Sequence, residues 1–197
     1  DRSVTMIWFS GRDPSAPWRD PRVRRAISMA IDRDALVEAT GVREVEGRGV
    51  KVFKAWNNLV PAIFGSWWLD PRGREISPEV ARYFRYDPEG AKRLLAEAGY
   101  PNGFRVDFRY VTTAYGQVFN TQAELVAQYL RRLGLDVNVV IEDYSSQFIV
   151  RTVLGSLTVS RWAGMRPSLI LVTTWKSCSS RPTRGIGVRL GTQSWMR

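Results

Sequence analysis

Tyr86 to Tyr144, YDPEGAKRLLAEAGYPNGFRVDFRYVTTAYGQVFNTQAELVAQYLRRLGLDVNVVIEDY, is the stretch whose reading decides the fold. Asp87 is suited to cap a helix and Pro88 to open its first turn, while Ala91, Leu94, Leu95 and Ala98 fall at helical spacing before Gly99. These marks predict one amphipathic helix with both ends defined. Pro101-Asn102-Gly103 then turns the chain into Arg105–Tyr110, where Val106, Phe108 and Tyr110 alternate with Arg105, Asp107 and Arg109. That period of two predicts a strand with one buried and one solvated face. A second helix is expected over roughly Asn120–Leu133, with Val126, Tyr129, Leu130 and Leu133 on its inner side and Arg131 and Arg132 complementing its C-terminal end. Gly134 stops it, and Val137, Val139 and Ile141 resume the alternation of a strand.

Two strands joined by a helix of this length are most simply parallel neighbours in one sheet. The loop Val111-Thr112-Thr113-Ala114-Tyr115-Gly116 therefore leaves the carboxyl end of the first strand, where open α/β sheets place ligands. It offers two hydroxyls and a phenol. The alternative reading is an ordinary solvated connection with Tyr115 packed onto the core.

Upstream, Ser3–Ser10 reads as a strand with Val4, Met6 and Trp8 on one face, and GRDPSAPW (11–18) as a loop. Asp20-Pro21 repeats the cap-and-proline start. Val23, Ala26, Ile27, Ala30 and Ile31 form the inner stripe of the helix that follows, and Arg22, Arg25 and Met29 its outer face. A shorter helix over about Asp32–Ala39 should end at Gly41. Residues 41–85 carry glycines and prolines too closely spaced for long elements, and the aromatics Phe53, Trp56, Phe64, Trp67 and Trp68 are expected to pack over the domain as a folded excursion. If exposed instead, the tryptophans would suggest a binding wall. Downstream, Leu169–Val172 is a candidate buried strand, but periodicity fades towards the C-terminus.

Composition bounds the chemistry. There is one cysteine, Cys178, and no histidine, which excludes an internal disulfide, histidine-based nucleophile systems and a zinc-type cluster. Glu142 and Asp143 are adjacent acids near a strand end and read as solvated charges. No catalytic group, metal site or cofactor is expected, and no apolar run is long enough to span a membrane. The net charge of +10 is concentrated late: residues 156–197 hold seven of the 29 basic residues and none of the 19 acids. That segment, with Trp162, Trp175 and Trp195 available to stack on bases, supports an alternative reading as a basic nucleic-acid or anionic-surface binding module.

Several motifs carry a specific likeness: Tyr86-Asp87-Pro88 with Ala91-Lys92 and Leu94-Leu95; Glu97-Ala98-Gly99-Tyr100-Pro101 with Gly103-Phe104; YLRRLGL at Tyr129–Leu135; and PWRDPRVRRAISMAIDRDAL at Pro17–Leu36. In order and spacing the chain resembles the C-terminal lobe of the family 5 solute-binding proteins, receptors of ABC importers for peptides, nickel and related solutes. The resemblance implies an α/β, periplasmic-binding-protein-like (type II) lobe, incomplete and containing a βαβ unit. It further implies a non-catalytic, extracytoplasmic role in solute capture, with an ABC permease as partner of the full-length protein and no nucleic acid. In that family the loop after the first strand lines the cleft, so a ligand role carries to Thr112, Thr113 and Tyr115. A proline-containing loop near the cleft extends it to Trp67 and Trp68.

Relatives place the Pro17–Leu36 motif far from their N-terminus. The likeness therefore implies a chain that lacks most of the first lobe and has no signal peptide of its own. Residues 1–155 are read as the partial lobe and 156–197 as an aberrant, poorly ordered basic tail. Codons for Leu157–Ser179 read one frame over permit a segment like the family's next motif, so a frameshift between about Thr152 and Leu157 is expected.

Overall fold

The computed structural model describes residues 4–10, 13–58, 60–154 and 168–174. A four-stranded sheet is its frame, with order β1-β4-β2-β3 for β1 (Val4–Phe9), β2 (Arg105–Tyr110), β3 (Asp136–Ile141) and β4 (Ser168–Thr174). β2 lies parallel to both β3 and β4, whereas β1 runs antiparallel to β4. The predicted parallel pairing of the two central segments is present, with Arg105 opposite Asp136 and Tyr110 opposite Ile141. The strand read at Leu169–Val172 is also present, as β4. It sits between β1 and β2 although it comes from the stretch assigned to the tail. The remainder of 156–197, including Trp162, Trp175 and Trp195, lies outside the described residues.

Among the described residues six α-helices join and cover these strands: α1 (Pro21–Met29), α2 (Arg33–Glu38), α3 (Val42–Gly47), α4 (Pro78–Ala81), α5 (Pro88–Glu97) and α6 (Gln117–Arg132). Short 3-10 turns occupy Pro17–Arg19 and Ala62–Trp67, and Tyr144–Leu154 forms a wider, π-type helix. The sequence signals of capping act as expected. Backbone N–H groups of Arg22, Ala35 and Gly90 donate to the carboxylates of Asp20, Asp32 and Asp87 at 2.7, 3.0 and 2.8 Å.

The main core lies on one face of the sheet. Val106, Phe108 and Tyr110 of β2 meet Val23, Ala26 and Ile27 of α1, Ala91 and Leu95 of α5, and Ala123, Val126 and Leu130 of α6. Phe108 is fully buried, and removing such a ring from water stabilises the fold by about 1.5–3 kcal/mol. Met29 belongs to this core, in contrast to its predicted outer position, because α1 and α5 approach so closely that a Cβ at Gly90 would stand 2.9 Å from the Met29 methyl. At the start of β2, Gly103 (φ 69°) abuts the Gly134 carbonyl closely enough that any side chain would collide with it. Arg33 closes the other end of α1. Its guanidinium donates to the carbonyls of Ser28 and Phe84 at 3.0 and 2.8 Å, tying α1 to the turn before α5, and burial pulls its pKa down to about 10.

Three further expectations are corrected. α6 starts at Gln117, earlier than Asn120, because Gly116 (φ 82°) turns the chain into the helix with no side-chain cap to mark the place. The polar face of β2 is exposed only at Arg105: Asp107 is buried, Arg109 is half-buried, and Glu142, which follows β3, is buried too. Of the five aromatics expected to pack over the domain, Trp56 is buried and Trp68 half-buried, but Phe53, Phe64 and Trp67 are exposed, Trp67 to 81%. The excursion is anchored by polar contacts rather than by burying every ring. Trp56 Nε1 donates to Asp34 Oδ1 at 2.7 Å and Trp68 Nε1 to the Trp56 carbonyl at 3.1 Å.

Candidate functional site

The loop 111–116 leaves the carboxyl end of β2, as the topology requires. Val111 is fully buried and forms a small cluster with Phe148, against which Trp8, Tyr115, Tyr144 and Ile149 pack. Tyr115 is half-buried; its ring lies edge-on to Phe119 at 4.9 Å and to Tyr144 at 5.8 Å, while Tyr144 stacks on Phe148 at 6.2 Å. Thus part of the bland alternative for Tyr115 holds: the ring wedges the loop against α6 and the segment after β3. Thr112 is half-buried and Thr113 exposed. The two threonines and the tyrosine share one loop, at the sheet end where ligands bind in open α/β folds.

Trp67 and Trp68 lie on the separate 41–85 excursion. Trp68 meets Phe53 edge-on at 6.0 Å, and Ile63, Phe64, Trp67 and Leu69 are exposed beside it in sequence. Ring contacts of Tyr115 run to Phe119 of α6 and to Tyr144, and those of Trp68 to Phe53.

Beneath the loop lies a charged network that the sequence reading left in solvent. Arg109 donates to Glu142 Oε1 at 2.7 Å and to Asp107 Oδ2 at 2.9 Å, and Asn138, opposite Asp107 in the register, donates to Asp107 Oδ1 at 2.8 Å. Both acids and the arginine are shielded from water, which makes the pairing strong and its disruption costly. A further ladder bond runs from the Glu142 N–H to the Tyr110 carbonyl at 3.0 Å. The ends of β2 and β3 are thereby clamped together under the loop. Asp143, next in sequence, does face solvent, and hydrogen bonds from the Ser146 side chain and backbone hold its carboxyl below the usual carboxylate value. The signal available for the network was the opposite charge at Asp107 and Arg109, two residues apart on one strand face.

The arginines of α1 are engaged in structure. Arg22 pairs with Asp20 at 2.6 Å and donates to the Glu97 carbonyl at 2.8 Å, Arg24 donates to the carbonyls of Trp18 and Arg19, and Arg25 lies over the Tyr83 ring at 4.8 Å. Among the described residues no group of acids, cysteines or histidines could hold a metal ion, and no helix is long and apolar enough to cross a membrane.

The parallel βαβ unit and the antiparallel β1 belong to an incomplete α/β lobe with the fold of the periplasmic-binding-protein class. Solved structures support that fold. A dipeptide-binding protein from Pseudoalteromonas sp. SM9913 in complex with Met-Leu superposes with a TM-score of 0.54 at 23% identity, over 87% of this chain and 28% of that one. A periplasmic binding protein from Helicobacter pylori in complex with the peptide STSA gives 0.52 at 23%, with the same coverage.

The chain belongs to the bacterial extracellular solute-binding proteins, family 5 Middle, whose sequence profile matches residues 1–179. Among curated relatives, heme-binding protein A of Haemophilus influenzae is 31% identical over 167 residues, which are 83% of this chain and 27% of that protein. The dipeptide-binding protein of Escherichia coli is 28% identical over 154 residues, 73% of this chain and 25% of that protein. The chain thus spans about a quarter of the length of these relatives. The comparisons give no support to the nucleic-acid alternative.

Proposed function

We propose that the chain supplies part of one lobe of an ABC-importer receptor, which captures a peptide or similar small polar solute outside the cytoplasm and presents it to a membrane permease without covalent chemistry. The observation that carries this reading is the loop 111–116, set at the carboxyl end of β2 beside a parallel β3, in a chain of this family. The dipeptide- and heme-binding relatives favour solute capture over catalysis. Thr112, Thr113 and Tyr115 form the solute-facing loop, and the exposed Trp67 with Trp68 supplies a second, aromatic contact. Receptors of this kind work by closing two lobes on a solute, so the affinity of one lobe alone is low.

NMR titration of the 197-residue chain with trialanine tests the reading. Weak, millimolar-range shifts confined to Thr112–Gly116 and Trp67–Trp68 are expected. Shifts absent from the loop, or scattered over α1 and α5, would refute it, and salt-dependent retention of duplex DNA would favour the basic-module reading.

The division near residue 155 has its own support, the absence of any Asp or Glu after Asp143. Both β4 and the family match run past that boundary, so the division is one of sequence character and not of the sheet. A frameshift before Leu157 is tested by sequencing the gene, where an early stop in the shifted frame would dispose of it.

A further inference from the structure

Asn120 sits in the second turn of α6 and reaches back to the loop, its Nδ2 donating to the Thr112 carbonyl at 3.0 Å. The amide cannot be turned over, because Oδ1 would then face another acceptor. With that orientation fixed, Oδ1 is buried and has no hydrogen-bond partner, the one such side-chain atom among the described residues. A buried acceptor without a donor costs at least as much as one neutral hydrogen bond returns, so this side chain is a poor device for stability. What it accomplishes is to fix where the Thr112 carbonyl points. Packing holds the loop at Val111 and at Tyr115, and Thr112 and Thr113 lie between these anchors.

We propose that Asn120 is a positioning residue for solute recognition, holding the Thr112 carbonyl so that the hydroxyls of Thr112 and Thr113 are presented in one direction to a small polar solute. The inference rests on the reading of loop 111–116 as solute-facing. No gap in the sequence pattern marks Asn120, which reads as an ordinary residue of the first helical turns.

The test uses the full 197-residue chain and two variants, Asn120→Leu, which removes the donor, and Asn120→Asp, which removes it at neutral pH and regains it when the carboxyl is protonated. Backbone amide 15N relaxation is followed at pH 7 and pH 4. At pH 7 both variants should show order parameters at 112–116 falling below about 0.6, while residues 91–95 of α5 keep theirs. At pH 4 the Asp variant should recover and the Leu variant should not. Unchanged order parameters in the loop, identical behaviour of the two variants at both pH values, or a loss spread equally over α5 would overturn the tie. Trialanine-induced NMR shifts separate the two levels. Shifts present in the wild type and roughly tenfold weaker in apparent affinity in Asn120→Leu support the recognition role. Their absence in the wild type would overturn the solute reading, even where relaxation shows the tie itself.

Discussion

Replacing Gly103 by alanine should test how β2 and β3 are brought into register. Gly103 has φ 69°, a conformation that costs a residue with a side chain about 1–2 kcal/mol. Its added Cβ would also collide with the Gly134 carbonyl, a backbone atom that cannot rotate away. Forcing the two turns apart adds about 1–3 kcal/mol. It also strains the hydrogen bond from the Asp136 N–H to the Phe104 carbonyl at 3.1 Å, which starts the β2–β3 ladder. The expected total is about 2–5 kcal/mol. Gly99 supplies the control, because its φ is also positive, at 95°, but a Cβ there meets nothing within 4 Å. Gly99→Ala should therefore cost only the conformational part, about 1–2 kcal/mol. Urea unfolding followed by tryptophan fluorescence and far-ultraviolet circular dichroism measures both. Equal losses for the two variants would refute the claim that turn-to-turn contact sets the register.

The buried network predicts that Arg109→Met, which leaves Asp107 and Glu142 without this partner, costs about 3–5 kcal/mol, whereas combining it with Asp107→Leu and Glu142→Leu restores much of the loss; a single-variant cost below about 1 kcal/mol in urea unfolding would contradict the network. Asp20 has its pKa held below 3.8 by hydrogen bonds from the Arg22 side chain and backbone, so its contribution is present above pH 3.8 and is lost as pH falls through the lower folded value. The drop in urea midpoint below pH 3.8 should shrink in Asp20→Asn, and an unchanged acid limb would show that the cap is not the titrating group. Trp67→Ala should leave stability within about 0.5 kcal/mol, since the ring is 81% exposed, while Trp56→Ala should cost about 3–5 kcal/mol through lost packing. Thermal melts of the two variants give the comparison, and similar midpoints would contradict the assigned burial.

Local signals made several helix starts and the parallel pairing of β2 with β3 legible. Asp20, Asp32 and Asp87 each cap the helix they announce, and the apolar positions of β2 lie in the core as their alternation requires. What the alternation could not report was whether the polar face meets water. Asp107 and Arg109 were read as solvated, yet they pair with each other and with partners 31 and 33 residues further along the chain, contacts with no local signature. Gly116 starts α6 through backbone conformation alone, so the helix looked shorter than it is. The aromatics of the excursion misled in the opposite sense. Hydrophobic character suggested burial for Phe53, Phe64 and Trp67, but only Trp56 and Trp68 have the indole hydrogen bonds that fasten them down. For the site, the βαβ order located the loop and its residues, and Asn120 was invisible because its role depends on an eight-residue reach back across the turn.

The placing of β4 has a kinetic consequence. Among the described strands β1 forms its ladder with β4 alone, pairing Val4 with Thr174 and Phe9 with Leu169. During synthesis β1 therefore lacks a ladder partner until β4 emerges, although Phe9 can already pack on Trp18 and Trp8 on the cluster of Val111 and Phe148, while α5, β2, α6 and β3 assemble among themselves. Closing so long a loop is entropically expensive and slow. Until then the backbone edge of β1 is unpaired, and chaperone binding or aggregation of nascent chains should centre on it.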